Sequence, residues 1–220
     1  IIRIDQDTTT NKVSNEQIIN DFKNHKYDIL IGTQMISKGL DFPNVTLVGV
    51  INGDASLNIP DFRSAERTFQ LLNQVAGRSG RGVLPGEVII QGFNVDHYSI
   101  VKACNNDYIG FYNEELKIRK VLKYSPYYNL CLIKIKSKNY NEALTESNKI
   151  IKLLKDKNLE NTIVLGPTPA LIPKINDIYN IQIIIKFKNT GILMKELEFI
   201  NNYYRTSKVV VEIDINPIRV

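Results

Sequence analysis

Residues 27–51 read YDILIGTQMISKGLDFPNVTLVGVI, two short apolar segments separated by a polar loop. Residues 27–31 and 45–51 have the length and composition of buried strands. A helix is predicted over 14–25, because Ser14 and Gln17 are spaced as a capping box, and a further strand over 86–91. Alternating strands and helices predict an α/β fold with a doubly wound parallel sheet, in which the residues that follow the strands bind ligands.

The loop between the two apolar segments carries the first candidate site. A threonine hydroxyl and free backbone N–H groups can hold a nucleic-acid phosphate, and an aspartate can organise an arginine or a nucleotide hydroxyl. By itself the loop is equally compatible with a purely structural turn. The candidate side chains are Thr33, Gln34, Lys38 and Asp41.

A second polar motif follows about forty residues later, where residues 74–81 read QVAGRSGR. A guanidinium is planar, always charged and carries five donors, so it suits a phosphate. Arg78 and Arg81 stand three residues apart, and each directly follows a glycine. A glycine permits close approach of the backbone to a ligand. Such a pair can stabilise charge on a transferring γ-phosphoryl group. The alternative is a solvated basic turn.

The segment between the two motifs is predicted to form an amphipathic helix, with Asp61 as its N-cap and Gly77 near its end. One face is apolar and is predicted to join the core: Phe62, Ala65, Phe69, Leu72 and Ala76. The opposite face carries arginines and glutamines: Arg63, Arg67, Gln70, Gln74, Arg78 and Arg81. A face of this kind predicts an anionic ligand, although an ordinary solvated surface remains the alternative.

Together these motifs resemble a known family. Residues 32–43 resemble motif V of superfamily 2 helicases, and residues 74–81 resemble motif VI. Residues 53–57 (GDASL) and 60–67 (PDFRSAER) are similar to the bacterial replication-restart helicases in particular. The resemblance implies a truncated RecA-like second lobe. It implies catalytic roles for Arg78 and Arg81, ATP contacts by Gln74, Gly77, Gly39 and Asp41, and DNA contacts by Thr33, Gln34 and Lys38.

The same resemblance implies an activity for the whole protein. It would be an ATP-dependent 3′-5′ DNA helicase that restarts stalled replication forks, with ATP and Mg²⁺ as its nucleotide and metal. Forked and single-stranded DNA, single-stranded-DNA-binding protein and other primosome proteins would be its partners, and its location would be the cytoplasm. Another superfamily 2 translocase is a weaker rival, because its second signature would lack residues 61–67.

One part of a nucleotide site is missing from this sequence. It contains no Gly-x-x-x-x-Gly-Lys-[Ser/Thr] loop to cradle phosphates. The chain begins at Ile1 without a methionine, so we expect a C-terminal fragment that hydrolyses no ATP alone. The family's zinc module is expected upstream. The two cysteines, Cys104 and Cys131, form no Cys-x-x-Cys pair and are expected to be core residues rather than metal ligands.

Composition limits the class of protein. Hydrophobic residues make up 43% of the 220-residue chain, enough for one large or two modest domains. Two cysteines do not make a disulfide framework, and no apolar run has transmembrane length. The net charge of +5 is compatible with nucleic-acid binding but indicates it only weakly.

The second half of the chain has a different order of elements. We predict three regions: a partial helicase lobe over 1–95, a helical connector over 96–128 and a C-terminal domain over 129–220. The last reads strand, helix, strand, strand, helix, strand, which predicts a ferredoxin-like α+β domain. A proline-containing hairpin loop is expected between its second strand, 162–165, and its third, 181–187.

Alternation along the strands of this domain predicts a basic patch on an open sheet face. Its members are Lys134, Lys136, Lys186 and Lys188, with Tyr127 or Tyr128 available for stacking. The alternative is that Glu212 and Asp214 pair with the lysines across strands. The patch supports a second hypothesis for the chain, a non-catalytic module that binds DNA or the acidic tail of single-stranded-DNA-binding protein.

Overall fold

The structure is a computed structural model that describes residues 1–4, 12–33, 42, 44–77 and 85–219. The chain divides into two compact units. The first comprises Ile1–Ile59 and Arg63–Glu115, and the second comprises Pro60–Phe62 and Leu116–Val220.

The first unit is an α/β structure with two pairs of parallel strands among its described residues. One pair joins β1 to β2, and the other joins β3 to β4. A short 3-10 helix spans Ala55–Asn58. The strands are β1 (Ile2–Ile4), β2 (Leu30–Gly32), β3 (Leu47–Val50) and β4 (Glu87–Ile90), and the helices are α1 (Lys12–Lys23), α2 (Ser64–Ala76), α3 (Tyr98–Cys104) and α4 (Tyr108–Leu122), whose second half belongs to the second unit.

Strands β2, β3 and β4 overlap the predicted segments 27–31, 45–51 and 86–91, but the strands are not buried on both faces. Val50 and Ile90 pack against a core of Phe69, Leu72, Ile100, Ala103 and Phe111. On the other face of this strand pair Leu47 is 56% and Ile89 is 53% exposed, and in β2 Ile31 is 51% exposed. The expectation of fully buried strands is therefore wrong for the described residues, because apolar packing reaches one face only of the β3–β4 pair.

Two helix starts also differ from prediction. Helix α1 begins at Lys12, so Ser14 lies inside it and does not cap it. Helix α2 begins at Ser64 rather than near Asp61. The Ser64 hydroxyl donates to the Ile59 carbonyl over 2.6 Å, and the Thr68 hydroxyl donates to the Ser64 carbonyl over 2.9 Å. Both buried hydroxyls thus find carbonyl acceptors, whereas the Arg63 side chain at the N-cap position accepts no hydrogen bond from the helix. The helix ends at Ala76, with Gly77 as its C-cap, as predicted.

The second unit contains six elements in the predicted order. They are β5 (Asn129–Ser137), α5 (Tyr140–Asp156), β6 (Thr162–Ile175), β7 (Ile178–Phe187), α6 (Gly191–Tyr204) and β8 (Val210–Ile215). The four strands form an antiparallel sheet in the spatial order β6-β7-β5-β8.

The core of the second unit lies between this sheet and helices α5 and α6. Ile133 pairs with Ile183 on one side and with Ile213 on the other, which sets the inward face of the sheet. Alternate residues of β5 and β7 then point to the same side. Leu154 and Leu197 close the core from the two helices. The inward strand residues are Cys131, Ile133, Ile135, Ile181, Ile183, Ile185 and Phe187.

The predicted hairpin loop is instead a continuation of the strands. Strand β6 runs to Ile175, and β7 begins at Ile178, so only Asn176 and Asp177 form the turn. Both have positive φ, 48° and 62°, the conformation required at the centre of a type I′ hairpin turn. The strand pairing shifts between Leu165 and Thr168 and again between Pro169 and Lys174. These irregularities accommodate prolines, which cannot donate to a strand ladder.

Candidate nucleotide and nucleic-acid sites

A buried carboxylate organises the loops that follow β3 and β4. Asp54 is 5% exposed and accepts hydrogen bonds from the backbone N–H groups of Asn94, over 2.8 Å, and Phe93, over 2.9 Å. Donation from Asn94 and then from Phe93 holds the pKa of Asp54 below its ordinary value, against the effect of burial. Gly53 adds a backbone hydrogen bond to the Gln91 carbonyl over 2.8 Å. The two loops are therefore fixed to each other.

Two glycines near Asp54, one adjacent in sequence and one adjacent in space, leave no room for a Cβ atom. A Cβ at Gly92 would lie 2.8 Å from Asp54 Oδ1, and a Cβ at Gly53 would lie 2.6 Å from Ile90 Cγ2. The Gly53-Asp54 pair, quoted above only for its resemblance, therefore has a structural function. Sequence reasoning missed it, because the partners of Asp54 lie 39 and 40 residues away and are backbone groups.

Among the residues of the two sequence motifs that were predicted to bind ATP or DNA, three lie in the described part of the chain. Thr33 directly follows β2 and is exposed, at a strand end as expected. Gln74 is exposed on the last turn of α2, and Gly77 donates its N–H to the Asn73 carbonyl over 3.1 Å. The remaining predicted residues of the two motifs lie outside the described residues: Gln34, Lys38, Gly39, Asp41, Arg78 and Arg81.

The exposed side of α2 carries amide groups, as predicted. Gln70 is exposed and donates to Glu66 Oε1 over 3.3 Å, while Gln74 follows one turn later. The opposite side carries the buried Phe69 and Leu72. Helix α2 therefore has a polar face near its end, and in the sequence Arg78 follows directly after its C-cap, Gly77.

The predicted lysine patch of the second unit is only partly realised. Cross-strand pairing places Lys134 opposite Gln182 and Glu212, on the sheet face that points away from the core. Lys136 Nζ lies 2.5 Å from Glu212 Oε1, an ion pair between neighbouring strands. Lys136 therefore forms a cross-strand ion pair, which is the alternative to a basic patch given by the sequence.

Lys186 requires a correction. Its side chain was predicted to lie on an open face, but the residue is only 7% exposed. The ammonium donates to the Leu122 carbonyl over 2.8 Å and lies 3.5 Å from the centroid of the Tyr124 ring. The chain that joins α4 to β5 therefore covers this end of the sheet face. Burial lowers the pKa of Lys186, and the nearby Lys123 charge lowers it further. Lys186 cannot be part of an exposed patch.

This covering segment, residues 123–128, is held by stacked side chains within the second unit. The Tyr124 ring lies parallel to the Phe62 ring, with centroids 4.6 Å apart and planes at 4°. The Arg119 guanidinium lies 5.1 Å from the Phe62 centroid. Arg119, Phe62, Tyr124 and Lys186 thus form a layered arrangement of cation, ring, ring and cation. Phe62, predicted to belong to the core face of α2, has this role instead.

Lys188 differs from the other lysines of the predicted patch. It is exposed, and its ammonium lies 5.1 Å from the centroid of Tyr128. Lys123, at the end of α4, approaches the same ring at 5.8 Å. Sequence reasoning missed Lys123 because it lies 65 residues before Lys188 and outside any strand pattern.

The two cysteines lie in different environments. Cys131 is buried, and burial raises the pKa of its thiol to about 12, whereas Cys104 is exposed. Across the described ranges, no group of three or more His, Cys, Asp or Glu residues is placed to hold a metal ion. The same ranges contain no helix with the length and apolar character needed to cross a membrane.

Comparison with known proteins finds one family match in each half of the chain. Residues 1–83 match the helicase conserved C-terminal domain, and residues 120–218 match the primosomal protein N C-terminal domain. Curated relatives align over nearly the whole chain. The replication restart protein PriA of Bacillus subtilis is 45% identical over 99% of the chain, and those of Chlamydia pneumoniae and Borreliella burgdorferi are 42% and 40% identical over 98% and 99%.

The chain therefore carries an α/β unit that matches a helicase C-terminal domain, followed by a unit that matches a primosomal C-terminal domain. The chain is similar along nearly its whole length to the replication restart protein PriA of several bacteria. It spans 28% of the Bacillus subtilis relative, 29% of the Chlamydia pneumoniae relative and 33% of the Borreliella burgdorferi relative.

Proposed function

We propose that this chain contributes the second motor lobe and the C-terminal domain to an ATP-dependent 3′-5′ DNA helicase that restarts stalled replication forks. The observation that carries the proposal is 45% identity to a replication restart protein over 99% of the chain. In this proposal residues 1–95 form a doubly wound RecA-like lobe, 96–128 a helical connector and 129–220 a ferredoxin-like domain. The strand order β6-β7-β5-β8, with a helix after β5 and another after β7, supports the last assignment.

The proposed nucleotide contacts lie at the end of α2 and in the loop after β2. Arg78 and Arg81 stabilise charge on the transferring phosphoryl group, and Gln74, Gly77, Gly39 and Asp41 line the ATP site. Two features of α2 support this: its exposed amides, and its end at Ala76, just before the arginines. Guanidinium and amide donors are the chemical groups that suit a nucleotide phosphate. Residues outside this chain would hold Mg²⁺ and zinc in the complete protein.

The proposed DNA contacts begin with Thr33, Gln34 and Lys38. The exposed position of Thr33 at the end of β2 supports this, because ligands of parallel sheets bind at the carboxyl ends of strands. Forked and single-stranded DNA, single-stranded-DNA-binding protein and primosome proteins are the proposed partners. On the C-terminal domain, Lys134 and Lys188 remain candidates for DNA contacts, whereas Lys136 is paired and Lys186 is buried.

ATP turnover in a full-length protein that contains this chain tests the proposal. Arg78→Ala and Arg81→Ala should each lower turnover by roughly 10³-fold or more, with little change in fork binding, because a transition-state arginine is lost. Arg→Lys should restore little, since an ammonium lacks the planar fork. Arg205→Ala, an exposed arginine of the second unit, is the control. Normal turnover in both arginine variants would overturn the catalytic assignment.

A second function is a nucleic-acid-binding module without catalysis of its own. The exposed lysines at Tyr128 favour it. The two functions are separated by combining assays. If the arginine variants keep full ATP turnover, whereas removal of the exposed lysines abolishes DNA binding by the 220-residue chain, the module is the correct interpretation.

A further inference from the structure

Two exposed lysines converge on one tyrosine at an end of the C-terminal sheet. Lys188 Nζ lies 5.1 Å and Lys123 Nζ 5.8 Å from the centroid of the Tyr128 ring. Lys188 directly follows the end of β7, and Lys123 directly follows α4. Two lysines far apart in sequence therefore place their ammonium groups at the same tyrosine ring. We call Lys123, Tyr128 and Lys188 the Tyr128 cluster.

The charge of the Tyr128 cluster is not balanced locally. Among the described residues no carboxylate lies within ion-pair distance of Lys123 or Lys188, in contrast to Lys136, Lys149 and Lys157. A third cation, Lys186, is buried close by, and the charge of Lys123 acts on it. Like charges held together favour the uptake of an anion.

The backbone around the cluster is well fixed. The Tyr127 and Tyr128 N–H groups donate to the Tyr124 carbonyl, over 2.9 and 3.3 Å, and the Ser125 hydroxyl donates to the Tyr128 carbonyl over 2.9 Å. Tyr128 is therefore held in place, and its ring in turn attracts the two flexible ammonium groups. The lysines are thereby brought together before a ligand arrives, which lowers the entropy lost on binding.

We propose that the Tyr128 cluster binds the phosphodiester backbone of nucleic acid, with Lys123 and Lys188 each contacting a phosphate. Lysine is a point charge on a flexible stem and contacts phosphates without reading sequence. The ring serves to hold the ammonium groups, so base stacking on Tyr128 is not required. The choice of nucleic acid over an acidic protein tail rests on the proposed helicase function. Single-stranded and duplex DNA share this chemistry, and the experiment distinguishes them.

The test measures binding of the 220-residue chain to a fluorescent oligothymidylate and to a labelled duplex over a range of salt concentrations. The Lys123→Gln/Lys188→Gln double variant should bind roughly tenfold more weakly at low salt. The slope of log K against log salt should fall by about 1.4 for the single strand, or about 1.8 for a duplex, since about 0.7 or 0.9 is expected per phosphate. The strand type with the larger loss of affinity is the preferred ligand.

The matched control is Lys152→Gln/Lys155→Gln, two exposed lysines of helix α5 in the same unit. Both double variants change the net charge from +5 to +3, since two positive charges are removed from +5 in each. A general effect of charge would therefore lower affinity equally in both. Thermal melting of each variant should be unchanged, because all four lysines are exposed.

Three results would overturn the proposal. One is equal affinity and salt slope in the two double variants. Another is failure of the unaltered chain to bind either oligonucleotide at low salt. The third is loss of binding to an acidic peptide, but not to DNA, in the Lys123→Gln/Lys188→Gln variant, which would assign the cluster to a protein tail. None of these results bears on ATP turnover by the arginine variants, so failure here is distinct from failure of the proposed helicase function.

Discussion

Replacement of Lys186 by methionine tests whether its buried ammonium stabilises or destabilises the second unit. The side chain keeps most of its apolar stem in Lys186→Met but loses the bond to the Leu122 carbonyl and the contact with the Tyr124 ring. A hydrogen bond from a charged donor is worth about 1.5–3 kcal/mol and a cation–π contact about 1–2 kcal/mol. Against these stands the cost of burying an ion, which amounts to several kcal/mol.

Burial lowers the pKa of Lys186, and the Lys123 charge lowers it further, so both disfavour the charged form. We expect these two effects to outweigh the hydrogen bond and the ring contact, because burying an ion costs several kcal/mol. Leu122 ends helix α4 and is 52% exposed as a residue, so we expect water to replace the ammonium at its carbonyl in the variant. We therefore expect Lys186→Met to raise the free energy of unfolding by about 1 kcal/mol near neutral pH. Lys208→Met, at an exposed position of the same unit, should change it by less than about 0.5 kcal/mol.

Urea denaturation followed by tyrosine circular dichroism measures both variants against the unaltered chain. Between the lowered pKa of folded Lys186 and the unfolded value near 10.5, the unfolded chain binds more protons. The stability of the unaltered chain therefore gains from Lys186 as pH rises through this window, and Lys186→Met lacks the gain. The difference between the two should shrink at about pH 10. Destabilisation by more than about 2 kcal/mol, or a difference that is constant with pH, would refute this reasoning.

Two further changes test contacts in the two units. Gly92→Ala should lower the free energy of unfolding of the first unit by about 1–3 kcal/mol, because its Cβ would lie 2.8 Å from buried Asp54 Oδ1. Gly49→Ala, where nothing lies within 4 Å, is the control, and equal melting of the two variants would contradict the packing argument. Tyr204→Phe removes a 2.7 Å hydrogen bond to Glu146 Oε2 and should cost about 1–2 kcal/mol in urea denaturation at neutral pH. Bonds from Lys149 and then Tyr204 lower the pKa of Glu146, so its contribution is present above its unfolded pKa and is lost as pH falls through the folded value. The cost of Tyr204→Phe should therefore shrink in acid, and a cost independent of pH would show that the bond does not favour the ionised carboxylate.

The second unit could be predicted element by element because each element has a clear period. Residues 133–136 of strand β5 alternate between inward isoleucines and outward lysines, a pattern typical of a strand with one apolar face. The buried Leu130 and Leu132, on the outward face of the same strand, depart from that pattern. Helices α5 and α6 repeat apolar residues every three to four positions. The hairpin was missed because prolines predict a loop, whereas β6 accommodates them at an edge strand with shifted pairing.

The first unit was harder to predict because its boundaries depend on contacts between distant residues. Asp61 is a good N-cap by residue type, yet α2 begins at Ser64, whose hydroxyl bonds to the Ile59 carbonyl. Asp54 is recognisable only through its hydrogen bonds to Phe93 and Asn94. For the candidate nucleotide and DNA sites, the two sequence motifs predict which residues take part, and the described structure locates Thr33, Gln74 and Gly77 among them.

The lysines of the C-terminal sheet show why a pattern predicts a face but not its availability. Alternation places Lys134, Lys136 and Lys186 on the same side, and the pairing of the strands confirms that much. Their neighbours then separate them, since Glu212 neutralises Lys136 and the segment after α4 buries Lys186. The same segment brings Lys123 to Tyr128 beside Lys188. The covering segment therefore removes one cation from the predicted patch and supplies another, which moves the candidate binding surface from the middle of the sheet to its end.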